Sequence, residues 1–147
     1  MKTLLTLCAA AGIMLTASNS ASAYHDSPED LAARCVNVVD GVVERCTNAA
    51  ADETQECVRT IRRLLSVGRV RAAHRVAREC IRSATTRTEN CANRVDRICF
   101  ACIDILLEMG EPQLARRVNH VCEEAISQLR SLLQREKNAI RTALSGG

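Results

Sequence analysis

Two stretches of the chain carry cysteine at an interval of eleven. "CVNVVDGVVERCTNAAADETQECV" (35–58) and "CIRSATTRTENCANRVDRICFACI" (80–103) both read Cys-x10-Cys-x10-Cys, followed by Val or Ile. At about 100° per residue, eleven residues carry a helix roughly 20° past three full turns. Cys35, Cys46 and Cys57 therefore share one helical face at spacings of about 16 Å, and Cys80, Cys91 and Cys102 share another. A disulfide needs Cα atoms roughly 4.4–6.8 Å apart, so none of these bonds to its neighbour on the same helix. The partner of each must lie on a second helix.

In an antiparallel pair of helices, the residue numbers of facing positions add to a constant. Cys35 with Cys102, Cys46 with Cys91, and Cys57 with Cys80 share the sum 137, which puts the turn beside Gly68. Apart from Cys8, in the N-terminal stretch, two cysteines remain; Cys99 and Cys122 have the sum 221 and put a second turn beside Gly110. Eight cysteines allow about 105 pairings. This one uses all eight and locates both turns independently.

The apolar residues test that register without reference to cysteine. Under the first sum Leu31 faces Leu106, Val42 faces Val95 and Ile61 faces Val76. Under the second, Ile103 faces Val118, Val95 faces Ile126, Ala92 faces Leu129 and Ile81 faces Ile140. Both seams are apolar, as packed amphipathic helices require.

Local signals agree. Ser27-Pro28-Glu29-Asp30 reads as a helix start, with an N-cap serine, proline in the first turn, acids at the positive end of the helix dipole, and capping-box spacing. Gly68 after "RRLLSV" and Gly110 after "ILLEM" read as C-terminal stops, and Glu111-Pro112 restarts a helix. The expected fold is all-α: an antiparallel up-down-up three-helix bundle, drawn out into a rod about 55 Å long and stapled by four inter-helix disulfides. Its helices are expected at about 28–67, 69–109 and 112–144. Gly41 is the weak point inside the first, at about 1 kcal/mol relative to alanine.

Residues 1–23 read as a secretory signal peptide: Lys2, an apolar run from Leu4 to Leu15, and the small residues Ala21-Ser22-Ala23 before Tyr24. The run is too short for a membrane span. Its removal takes away Cys8 and leaves residues 24–147 as a single disulfide-rich domain with eight cysteines, an even number suited to a secreted or periplasmic location. The remaining formal charge, 19 basic against 17 acidic residues, is too small to call for nucleic acid. With one Tyr and one Phe, the chain has neither an aromatic core nor a stacking platform for bases or sugars. The stretches "TNAAADETQE" (47–56) and "SATTRTEN" (83–90) promise a thin core, and each bridge is expected to offset that by about 2–4 kcal/mol.

Cys99-Phe100-Ala101-Cys102 has the form of a redox or metal motif. In this register its cysteines sit about 60° apart and turn to different neighbours, Cys102 to the first helix and Cys99 to the third. A catalytic pair normally opens a helix, where the dipole lowers the thiol pKa, whereas this one lies some thirty residues into a helix. The bridges are the preferred reading. No Gly-rich phosphate loop, Ser/His/Asp set or His-Glu-x-x-His is present, and adjacent pairs such as Glu123-Glu124 diverge by about 100° on a helix. His74 and His120 read as solvated helix positions. No enzyme, cofactor or resident metal is expected.

Charge is unevenly laid out. Arg62, Arg63, Arg69, Arg71, Arg75, Arg78 and Arg82 surround the first turn, and Arg135, Lys137 and Arg141 reach the same end. The other end carries Glu29, Asp30, Asp40, Glu44, Asp104, Glu108 and Glu111, diluted by Arg34, Arg116 and Arg117. The bland account is solvated helix faces laced by i,i+4 pairs. The functional account is an exported structural or interaction module whose basic end contacts a protein or an anionic envelope or surface component. The alternatives are a copper or zinc store using cysteine thiolates and a thiol oxidoreductase working through Cys99 and Cys102. Leu132 and Leu133 on the third helix leave room for homo-oligomerisation.

Overall fold

A computed structural model describes residues 27–146; the expected signal peptide and Cys8 lie outside them. Three α-helices make up the described chain: α1 (Pro28–Ser66), α2 (Val70–Glu108) and α3 (Pro112–Leu144). With 39 residues, α1 and α2 each extend about 58 Å. Every helix packs against both others.

The ends follow the local chemistry. Ser27 Oγ accepts from the Asp30 amide at 3.1 Å and donates to Asp30 Oδ2 at 2.9 Å, closing the first turn of α1. At the other end of α1 the Gly68 amide reaches Leu65 O at 3.0 Å and the Arg69 amide reaches Leu64 O at 2.8 Å, the paired bonds of a Schellman stop. Gly110 and Glu111 repeat this on Leu107 O and Leu106 O at 3.0 and 2.9 Å. Both glycines hold positive φ, 72° and 78°, which side-chain-bearing residues adopt only at a cost. Val67 and Met109 are the C-cap residues, so the helices stop one residue short of the expected boundaries.

The four bridges are Cys35–Cys102, Cys46–Cys91, Cys57–Cys80 and Cys99–Cys122, with Cα separations of 6.2, 6.5, 6.3 and 6.2 Å. Three therefore form a ladder between α1 and α2, and one ties α2 to α3. Disulfides of this kind belong to proteins of oxidising compartments. No helix among the described residues is long and apolar enough to cross a membrane.

The apolar interior comes in two parts. The larger cluster includes Val39, Val42, Val95, Leu106, Val118 and Leu129. The smaller lies near the α1–α2 turn and joins Ile61, Ala73, Ala77, Ile140 and Ala143. Between them the buried positions are Ala50, Ala84, Thr88 and Glu136. The α1 and α2 members of this weakly apolar layer fall within the stretches expected to give a thin core, and Cys46–Cys91 and Cys57–Cys80 bracket them. Covalent staples hold α1 to α2 where side-chain burial contributes least.

Candidate functional site

The Schellman stop at Gly68 reverses the chain within three residues, so the C-terminal turns of α1 and the N-terminal turns of α2 share one end of the rod. The end cluster containing Ile61, Ala73 and Ile140 brings the last turns of α3 to the same place. Every apolar stripe that builds this cluster leaves its opposite face to solvent, and the arginines occupy those faces. Arg62, Arg63, Arg69, Arg71, Arg75, Arg78 and Arg82 are all exposed. On α2, Arg71, Arg75, Arg78 and Arg82 follow i, i+4, i+7, i+11 and form one stripe about 16 Å long.

None of these seven side chains makes an ion pair or a hydrogen bond among the described residues. The cross-helix and i,i+3 pairs that do form involve Arg59 with Glu56, and Arg87 with Glu53 and Glu136. Arg75 and Glu79 have helical i,i+4 spacing and nonetheless remain apart. Between Glu56 and Glu79 the sequence holds seven arginines and no carboxylate. The first turn of α2 likewise has no acidic residue, and Arg69 at its N-cap offers no side-chain cap. Cations beside a helix N-terminus are disfavoured by a few tenths to about 1 kcal/mol each. At the start of α2 the charge choice thus runs against helix stability, whereas Arg63 and Arg141, in the last turns of α1 and α3, are favoured by the dipole.

The basic surface continues past the stripe. A groove of about 780 Å³ runs along α1 and α2 over the Cys46–Cys91 bridge, lined by Arg45, Arg82, Arg87 and Arg94 and by one carboxylate, Glu79, together with Ser83, Thr86 and Asn90. Arg45 and Arg94 are also exposed and without an ion pair among the described residues. Arg135 and Arg141 of α3 are exposed and Lys137 is half-buried.

One cluster was not expected. Glu136 occupies a core position of α3 with a side chain only 4 % exposed. Its Oε1 accepts from Thr54 Oγ1 of α1 at 2.9 Å and pairs with Arg87 of α2, whose guanidinium also meets Glu53. Its Oε2 is buried and has no partner. The signal was present in the spacing: Cys122, Ala125, Leu129, Leu132, Glu136, Ile140 and Ala143 advance by threes and fours along a single stripe. A stripe read only for apolar residues skips the glutamate.

The remaining candidates stay apart. Cys99 and Cys102 bond to different helices and not to each other. All eight described cysteines are in bridges, so in the oxidised form none of these eight offers a thiolate to a soft metal ion. His74 is exposed, and His120 lies 3.3 Å from Glu124 on the surface of α3. The chain matches no protein-family model, no curated protein and no solved structure. Its own geometry is what any functional reading must rest on.

Proposed function

We propose that the protein is an exported, disulfide-stapled helical module whose basic end contacts an anionic partner or surface. The carrying observation is the seven exposed arginines, Arg62 to Arg82, that have no ion-pair partner among the described residues. Internal pairing would neutralise them; left unpaired, their summed potential is available to attract an anion over about a Debye length. The bridges support the exported setting, because such a ladder persists where thiols are kept oxidised.

The test compares three proteins against a fluorescent long-chain polyphosphate at increasing salt. Wild type should bind, with affinity falling as salt rises. R71E/R75E/R78E should lose binding, while R97E/R116E/R117E, with the same net charge, should retain most of it. Equal losses in both variants would reduce the contact to net charge and remove the basic end from the proposal.

A further inference from the structure

We propose that the turn end of the rod docks on an anionic lipid bilayer, with Val67 and Val70 entering the headgroup layer and the flanking arginines meeting lipid phosphates. This rests on the basic-end reading and names the class of surface.

The apex of that end is Val67-Gly68-Arg69-Val70. Val67 is 63 % exposed and Val70 49 % exposed, at the turn between α1 and α2 that closes this end of the rod. Two valines beside a glycine stop are poor choices for a solvated turn, where polar residues serve better. Their position is fixed: Gly68 at φ 72° and the two Schellman hydrogen bonds hold the turn, and Leu64 and Leu65 beneath it pack into the end cluster. The valines therefore cannot be sheltered by a small local rearrangement.

Arg62, Arg63, Arg69 and Arg71 flank the two valines, and Arg141 approaches from the end of α3. A bilayer interface rewards both halves of this arrangement, because apolar side chains leave water while cations meet anionic headgroups. A soluble polyanion would use the arginines and leave the valines without a role. A single-stranded nucleic acid would favour aromatic stacking, yet Phe100 is the one aromatic among the described residues and it lies on the other half of the rod. The opposite turn supplies an internal contrast. It too exposes apolar side chains, Ile105, Leu107 and Met109, but places Asp104, Glu108 and Glu111 among them. Apolar exposure is common to both ends; only one end carries the charge that an anionic membrane attracts.

The experiment is flotation of the full chain with vesicles of phosphatidylglycerol and phosphatidylcholine, and with vesicles of phosphatidylcholine alone, alongside polyphosphate binding in solution. Wild type should float with the anionic vesicles and not with the zwitterionic ones. V67S/V70S, which alters only exposed side chains, should lower vesicle partitioning roughly tenfold, as two valines forgo burial, and leave polyphosphate binding unchanged. R71E/R75E/R78E should lose both. If V67S/V70S floats as wild type does, or if wild type binds polyphosphate but not anionic vesicles, the bilayer proposal is overturned while the basic-end reading stands. If wild type binds neither, both fall.

Discussion

Thr54 of α1 and Glu136 of α3, 82 residues apart, are joined by a 2.9 Å hydrogen bond at the level where the apolar interior is interrupted. Arg87 of α2 pairs with the same carboxylate, so all three helices converge on one side chain. The arrangement fixes axial register between helices whose local surfaces are mostly alanine and threonine.

Truncating Glu136 leaves Arg87 and Thr54 without their shared acceptor. Glu136→Ala should destabilise the fold by about 3 kcal/mol, because a mostly buried cation loses a partner. The joint replacement R87M/E136L should recover most of that loss, since an apolar pair of similar volume needs no polar partner. Urea denaturation of both variants reads this directly. A midpoint for Glu136→Ala equal to that of wild type would mean the cluster contributes nothing.

Non-reducing peptide mapping should return the four linkages 35–102, 46–91, 57–80 and 99–122 and no free thiol among these cysteines. The three α1–α2 rungs are nested and Cys99–Cys122 overlaps the outermost, so each of the four closes a segment of about 23 residues and contributes about 3 kcal/mol in the loop-entropy description. Full reduction should therefore lower the melting temperature by tens of degrees. A reduced chain that melts like the oxidised one would show that the helices pack well enough unaided.

The ladder joins α1 to α2 at three levels, whereas α3 has a single bridge, at Cys122. Beyond it, α3 is held by Leu129, the Glu136 cluster and the small end cluster. Hydrogen exchange should release the amides of residues 130–144 before those of residues 46–91, as expected for a locally less stable unit. Uniform protection along all three helices would contradict this.

Gly41 lies inside α1, where a Cβ would meet only the end of the Arg45 side chain, at 3.5 Å. That is an ordinary contact with a group free to move. Gly41→Ala should stabilise by about 0.5–1 kcal/mol, visible as a higher urea midpoint. Unchanged or reduced stability would point to a close packing role for the glycine.

Much of this architecture was legible because cysteine spacing and residue sums are one-dimensional quantities. The pairing of Cys46 with Cys91 and the stop at Gly68 both follow from counting along helices of known pitch. Glu136 was not legible in the same way, since rules that send carboxylates outward have no knowledge of Arg87 arriving from another helix. The unpaired state of Arg75 was equally hidden. Its i,i+4 neighbour Glu79 invites a surface pair that the folded arrangement does not form, and such exposed pairs are worth so little that sequence alone cannot decide them. The groove over Cys46–Cys91 depends on how far two helices stand apart, which no residue count supplies.

The order of the bridges also determines how the rod would carry a pull. A tension applied between residues 27 and 146 would travel from Ser27 to Cys35, cross to Cys102, pass back to Cys99, cross to Cys122, and leave along α3. Nearly all of α1 and α2 lies off that path. The contour under tension is about 35 residues, so even with every helix on it unwound the chain would stop extending near 120 Å. Oxidised, the molecule is a strap of short, fixed maximum length; reducing Cys35–Cys102 and Cys99–Cys122 would roughly double the chain under tension, because Cys46–Cys91 then becomes the crossing.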